Sequence, residues 1–295
     1  MSDGQQPEQG SQQTQVAKHG ELALETRVRS LLETLRLPCL SKSLDDVLAW
    51  ARKERPTALT LLERALAPDV EQTQTRLIEH RLKDSGLPDR PTLETFDFDF
   101  QKSIDKALVL ELAELDFIRA HEDVVLTGDA GTGKSHVAKS LAVRACAAGI
   151  KVIYRRFHVL MDDLYAGLAD NTYDKRLRRY SRVPVLLMDD VGIGRVRRSD
   201  NEPTAAQMLF TLVDQRVGRA STLMTSNIKL SAWGSYLGDA ALTMAILDRM
   251  VHRAIRMEVE GPSWRDKESR ELNERRRADA HKRKSTPRPV PAPKR

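Results

Sequence analysis

From Glu21 to Gly86 apolar residues recur at steps of three and four. Leu22, Leu24, Val28, Leu31, Leu32 and Leu35 make one run, and Leu44, Val47, Leu48 and Trp50 a second. Leu61, Leu62, Leu66, Val70, Leu77, Ile78 and Leu82 make a third, opened by Pro56-Thr57. This spacing predicts amphipathic helices and a small all-helical domain over 19–90. Leu87 to Phe100 is punctuated by Pro and Asp and reads as a boundary, with alternating Phe96, Phe98 and Phe100 able to pin it to the next domain. Ile104 to Phe117 is helical again. The period then changes. Short apolar runs at Val124 to Thr127, Lys151 to Tyr154, Val183 to Asp190, Ser221 to Ser226 and Arg253 to Val259 predict strands. Helical patterns separate them: His136 to Ala148, the Leu160, Leu164, Leu168 stretch, Pro203 through Val213, and Ala240 to Val251. These fall in a second domain over 91–270. Residues 1–18 are rich in Gln, Gly and Ser and predict disorder, and 271–295 read as a basic, Pro-rich tail.

Charge changes that picture in one place. The net +6 is misleading taken whole. From Arg275 to Arg295 there are nine Lys/Arg and one acid, while the remainder carries 39 basic against 41 acidic residues. Attraction to a polyanion therefore belongs to the tail and to local clusters. No apolar run is long enough to span a bilayer, so no membrane partner is expected. The polar N-terminal stretch lacks a secretory pattern, and the two cysteines, Cys39 and Cys146, lie far apart without metal spacing. A reducing cytoplasm is the expected compartment.

The chemistry centres on Gly128-Asp129-Ala130-Gly131-Thr132-Gly133-Lys134-Ser135, which fits the phosphate-binding pattern G-x-x-x-x-G-K-[ST] at every fixed position. A predicted strand precedes it and a helix follows. Glycines let the loop turn its N–H groups toward phosphate oxygens at a helix N-terminus. Lys134 is expected to reach the β- and γ-phosphates of ATP, and the Ser135 hydroxyl to ligate Mg²⁺. Val183 to Asp190 ends in two acids. Asp189 is expected to hold Mg²⁺ through water, and Asp190 to orient or deprotonate an attacking water. Asn227 ends the next strand, where it reads either as a turn former or as a group that positions the lytic water. Lys175, Arg176, Arg178 and Arg179, flanked by Tyr173 and Tyr180 and followed by Arg182, read evenly as a solvated helix face or as a patch for a nucleic-acid backbone. Arg195, Arg197 and Arg198 form a basic loop.

Taken together, several motifs resemble one family. They are Gly128 to His136, Leu186 to Asp190, Thr225-Ser226-Asn227, Trp233-Gly234, Ala245 to His252 and Gly261-Pro262-Ser263-Trp264-Arg265. The chain is similar, from about Val28 to Arg270, to the IstB proteins, AAA+ helper ATPases of IS21-type transposons and relatives of the DnaC helicase loaders. The resemblance implies an α/β AAA+ domain with a parallel sheet, preceded by the small all-helical domain. It also implies ATP-driven self-assembly into a homo-oligomer, duplex DNA binding, and a transposase (IstA-like) as partner. By motif position Asn227 takes a sensor role, Arg249 that of an arginine reaching a neighbour's ATP, and Arg265 that of a second sensor. Arg216 and Arg219 are rivals for the trans arginine, since other AAA+ branches place it there. Relatives insert a DNA-binding helix where Lys175 to Arg182 stands, which favours its DNA role. Asp190 stands where many AAA+ proteins carry Glu, which implies a slow, switch-like ATPase. Three other functions stay open: a DnaC-like loader with a replicative helicase as partner, a P-loop small-molecule kinase, and a non-catalytic nucleotide-gated binding module.

Overall fold

The computed structural model describes residues 22–196, 203–251 and 254–285. Arg197, Arg198, Arg253 and the predicted N-terminal tail lie outside them. The chain divides into two compact units, Met1–Leu77 and Ile78–Arg295.

In the first unit, α1 (residues 22–34) and α2 (Pro38–Glu54) are followed by α3, which spans Ala58–Ser85. Leu32, Leu40, Leu44, Val47 and Ala65 form its core, with Val28, Leu37, Leu48 and Leu61 packed against it. The α2 N-terminus has Pro at its first turn and no cap from Leu37. The buried Asp69 carboxylate supplies the acceptor instead, taking the Cys39 and Leu40 N–H groups at 2.9 and 2.8 Å. The third apolar run is not a single buried face. Leu61 turns inward, whereas Leu62, Leu66, Val70 and Leu77 are exposed. A three-helix unit this small lacks the interior to cover a helix that is apolar on two sides.

The second unit is an α/β layer structure. β1 (Asp123–Gly128), β2 (Val152–Arg156), β3 (Val185–Val191), β4 (Ser221–Ser226) and β5 (Ala254–Val259) form one sheet in the order β2-β3-β4-β1-β5. Every pairing is parallel. The fold is thus the predicted α/β class with a parallel sheet, with the helical segment ahead of it in the chain. Both faces are covered. Val124, Leu126, Val185, Leu187 and Leu223 point into one apolar cluster with α6 (Lys134–Ala147) and α4 (Lys106–Leu112). Val125, Leu186, Met188 and Met224 point into the other, with α7 (Phe157–Ala169), α8 (Tyr173–Arg182), α9 (Ala205–Arg216) and α11 (Ala240–Val251). Burial on both faces is why these strands read as unbroken apolar runs. The predicted helix over Ile104 to Phe117 is broken in two. Leu115 adopts a left-handed φ of 65°, which separates α4 from α5 (Asp116–Arg119). α10 (Trp233–Leu237) follows β4. At the C-terminal end α12 runs through Trp264–Ser285, so helix replaces much of the predicted tail.

Arg216 ties the N-terminal ends of the strands together. It is fully buried and donates to the carbonyls of Tyr180 (2.6 Å), Val183 (2.9 Å) and Ser221 (2.5 Å) and to Thr222 Oγ1 (3.1 Å). Burial lowers its pKa to about 10, with the Asp123 charge acting in the opposite sense. So committed, Arg216 cannot reach another subunit, and that rival for the trans arginine is removed. Replacing it strands several buried acceptors. We expect Arg216→Met to lower the unfolding free energy by about 3–5 kcal/mol in urea titrations. The exposed Arg219→Ala is expected to change it by less than about 0.5 kcal/mol.

Candidate nucleotide-binding site

β1 ends at Gly128 and α6 begins at Lys134, so the loop between them lies at the C-terminal edge of the sheet. Its shape demands glycine. Gly131 and Gly133 have φ of 84° and 94°. A Cβ on Gly133 would lie 2.6 Å from the Phe96 ring, and one on Gly131 would lie 2.2 Å from Ser263 Oγ. The loop is thus packed between the segment that carries Phe96 and Gln101 and the start of α12, where the Trp264 N–H donates to the Gly131 carbonyl at 2.9 Å. From the first side, Gln101 Nε2 donates to the Thr132 carbonyl at 2.9 Å. Phe100 meets the Trp264 ring edge-on, and Lys267 Nζ sits 4.4 Å from the Phe100 ring centre.

Lys134 is buried, and its Nζ donates to the Asp129 carbonyl at 2.6 Å and to Thr132 Oγ1 at 3.3 Å. Burial pulls its pKa down to about 8, against the attraction of Asp190, Asp129 and Asp189. A cation held under neutral loop oxygens in a phosphate-sized turn is a fitting counter-charge for a polyphosphate.

The two acids of β3 part company at its tip. Asp189 is buried and accepts hydrogen bonds from Ser135 Oγ (2.7 Å), Tyr154 Oη (3.1 Å) and Thr225 Oγ1. Burial, reinforced by the Asp189 carboxylate, holds the Tyr154 phenol well above its ordinary pKa, so it remains a donor. Asp190 turns away into a left-handed φ of 61°. Its N–H donates to Thr225 Oγ1 at 2.9 Å, and its Oδ1 accepts from Asn227 Nδ2 at 3.0 Å. Arg156 Nε stands 3.9 Å from the other oxygen. A cleft of about 280 Å³ is lined by Lys134, Ser135, Asp190, Asn227 and Arg265, and Phe96, His136 and Trp264 also border it. The hydroxyl of Ser135 beside the Asp189 carboxylate is a hard-oxygen donor pair that suits Mg²⁺.

A sequence model of the family described as "IstB-like ATP binding protein" matches residues 30–272. The chain belongs to this family. A Pseudomonas aeruginosa relative, named as an ATP-binding protein of insertion sequence IS21, is 35% identical over 240 residues, covering 81% of this chain and 89% of that one. A Geobacillus stearothermophilus relative, named for insertion sequence IS5376 and ATP binding, is 31% identical over 256 residues, covering 87% of this chain and all of that one. Among solved structures, a DnaI crystal structure overlays with a TM-score of 0.48 at 20% identity, covering 58% of this chain and 92% of that one.

The other residues singled out in this IstB-family chain lie apart from the cleft. Arg249, on α11, pairs with Asp214 on α9 at 3.1 Å. On α8, Lys175, Arg178, Arg179 and Arg182 are exposed and share one face at steps of three and four, while Leu177 and Tyr180 are buried. Arg176 leaves that set. Its guanidinium pairs with Asp163 at 2.5 Å and Asp170 at 2.6 Å and donates to Thr172, which staples α8 to α7. Tyr180 likewise serves the core, donating to Asp163 at 2.7 Å. Tyr154, Thr225, Gln101 and Phe96 touch the site without having been assigned to it from the sequence. Thr225 stood inside the quoted Thr225-Ser226-Asn227 motif, but Tyr154 offered only a strand residue.

The depressed Lys134 pKa gives a measurable sign. Phosphate binding requires the charged amine, and the free site loses that charge as pH rises through about 8. Nucleotide affinity is therefore expected to fall by roughly tenfold between pH 7 and pH 9, with proton uptake on binding. Calorimetry in buffers of different ionisation enthalpy measures both.

Proposed function

We propose that this protein is an ATPase that assembles on duplex DNA in its ATP-bound state and assists a transposase. The observation that carries the hydrolytic part is the split of the β3 acids: Asp189 bound to Ser135, Asp190 bound to Asn227. Lys134 and the loop N–H groups take up phosphate charge. Ser135 and Asp189 are the residues that would hold Mg²⁺, which when bound offsets charge on the β- and γ-phosphates. Asn227 and Asp190 together orient the attacking water, and Asp190 receives its proton. The aspartate reaches one methylene less than a glutamate, so the Asn227 contact carries more of the positioning and turnover is slow. Arg265 borders the same cleft and stabilises terminal charge. Arg249 lies outside it and serves a neighbouring copy, so hydrolysis waits on assembly.

The DNA part is supported by the α8 stripe of Lys175, Arg178, Arg179 and Arg182, an exposed cationic row suited to phosphate contacts without base readout. The transposase as partner is supported by the relatives named for insertion sequences. A helicase loader would instead bind a replicative helicase, and pull-down with each partner separates them.

Two measurements test the proposal. Asp190→Asn is expected to retain ATP affinity while hydrolysis falls by about 10²–10⁴-fold; unchanged turnover would remove the role of Asp190. If the α8 stripe meets about four phosphates, the log–log dependence of DNA affinity on salt in the presence of ATP has a slope of about −3.6 from this stripe, and Arg178→Ala with Arg179→Ala reduces it by about 1.8. An affinity indifferent to ATP and to salt would defeat the DNA reading.

A further inference from the structure

Arg249 is half-exposed on α11, outside the nucleotide cleft. Two side chains of α9 hold it. Its Nε stands 3.1 Å from Asp214 Oδ1, and its guanidinium carbon lies 4.4 Å from the centre of the Phe210 ring. Among the described residues no other hydrogen bond or ion pair ties its guanidinium. The chemistry of this arrangement is specific. The carboxylate occupies the inner nitrogen, and the aromatic ring lies against the guanidinium. The two terminal nitrogens are left side by side, in the fork geometry that matches a pair of phosphate oxygens. Asp214 is itself 54% exposed, so an ion pair here adds little to the stability of the fold. A surface pair of little energetic worth still restricts where the arginine points.

We propose that Asp214 and Phe210 form a cradle that holds Arg249 as an outward fork for the terminal phosphates bound by a second copy of the chain. It rests on the trans role given to Arg249 above. Asp214 is then a positioning residue: it touches no nucleotide and acts through Arg249. A surface arginine without a cradle samples many rotamers, and few of them meet the neighbouring phosphates. An arginine already oriented loses less freedom when the subunits meet.

The test uses the full-length protein with ATP, Mg²⁺ and duplex DNA, reading steady-state hydrolysis and assembly size together. Asp214→Ala is expected to lower kcat by about 10- to 100-fold, as a misplaced catalytic group does, with KM for ATP and assembly size unchanged. Asp214→Glu is expected to recover part of the loss, and Phe210→Leu to show a smaller one. Mixing supplies a readout that a merely structural role would not move. Asp214→Ala subunits keep an intact Asp190, and Asp190→Ala subunits keep an intact cradle, so mixed assemblies are expected to hydrolyse faster than either variant alone. Wild-type kcat for Asp214→Ala, loss of assembly in place of kcat, or no recovery on mixing would each overturn the cradle. Arg249→Ala separates the two levels. If it abolishes hydrolysis while Asp214→Ala does not, the trans arginine survives and the cradle fails; if it leaves hydrolysis intact, both fail.

Discussion

One buried carboxylate holds the edge of the sheet together. Asp189 takes hydrogen bonds from Ser135 at the start of α6, Tyr154 on β2 and Thr225 on β4. Three segments thus converge on a single charge, which is desolvated and must be satisfied. Thr225 passes the constraint on, since the same hydroxyl oxygen accepts the Asp190 N–H. The positive φ of Asp190, a conformation that costs an L-residue energy, is held by that bond and by Asn227. The strained acid and the glycine loop are therefore two ends of one network.

What the sequence made legible follows from how it was encoded. The loop and the β3 acids are set by neighbours along the chain, and peptide geometry fixes their spacing. The five strands are legible because both faces of the sheet are buried and leave apolar runs. Tyr154 and Thr225 were not, because they arrive through strand register: Tyr154 pairs with Leu187 and Thr225 with Leu126. No local pattern encodes that alignment. Charge was the least legible property. Five arginines and lysines stand between Tyr173 and Val183, yet this count conceals different fates: Arg176 is consumed by two acids of α7 and its following turn, while Lys175, Arg178, Arg179 and Arg182 face outward. Arg216 shows the same principle at its extreme, as a buried scaffold for backbone carbonyls.

The helical unit at the front carries a different lesson. Among the described residues its core is five side chains with a partly buried rim, and several apolar side chains on α3 are exposed. Periodicity identified the helices, but it could not say how many of their apolar positions would find a partner. Asp69 shows how such a unit gains definition, because a buried acid at a helix start accepts two N–H groups that no local side chain serves.

The contact between the Trp264 N–H and the Gly131 carbonyl joins residues separated by nearly half the chain. Synthesis runs from the N-terminus, so a nascent polypeptide has its glycine loop long before it has the roof that packs over it. A chain terminated early at β5 would carry every phosphate-loop residue and still lack Ser263, Trp264 and Lys267. Closure of this roof over the glycine loop thus waits until translation has reached α12.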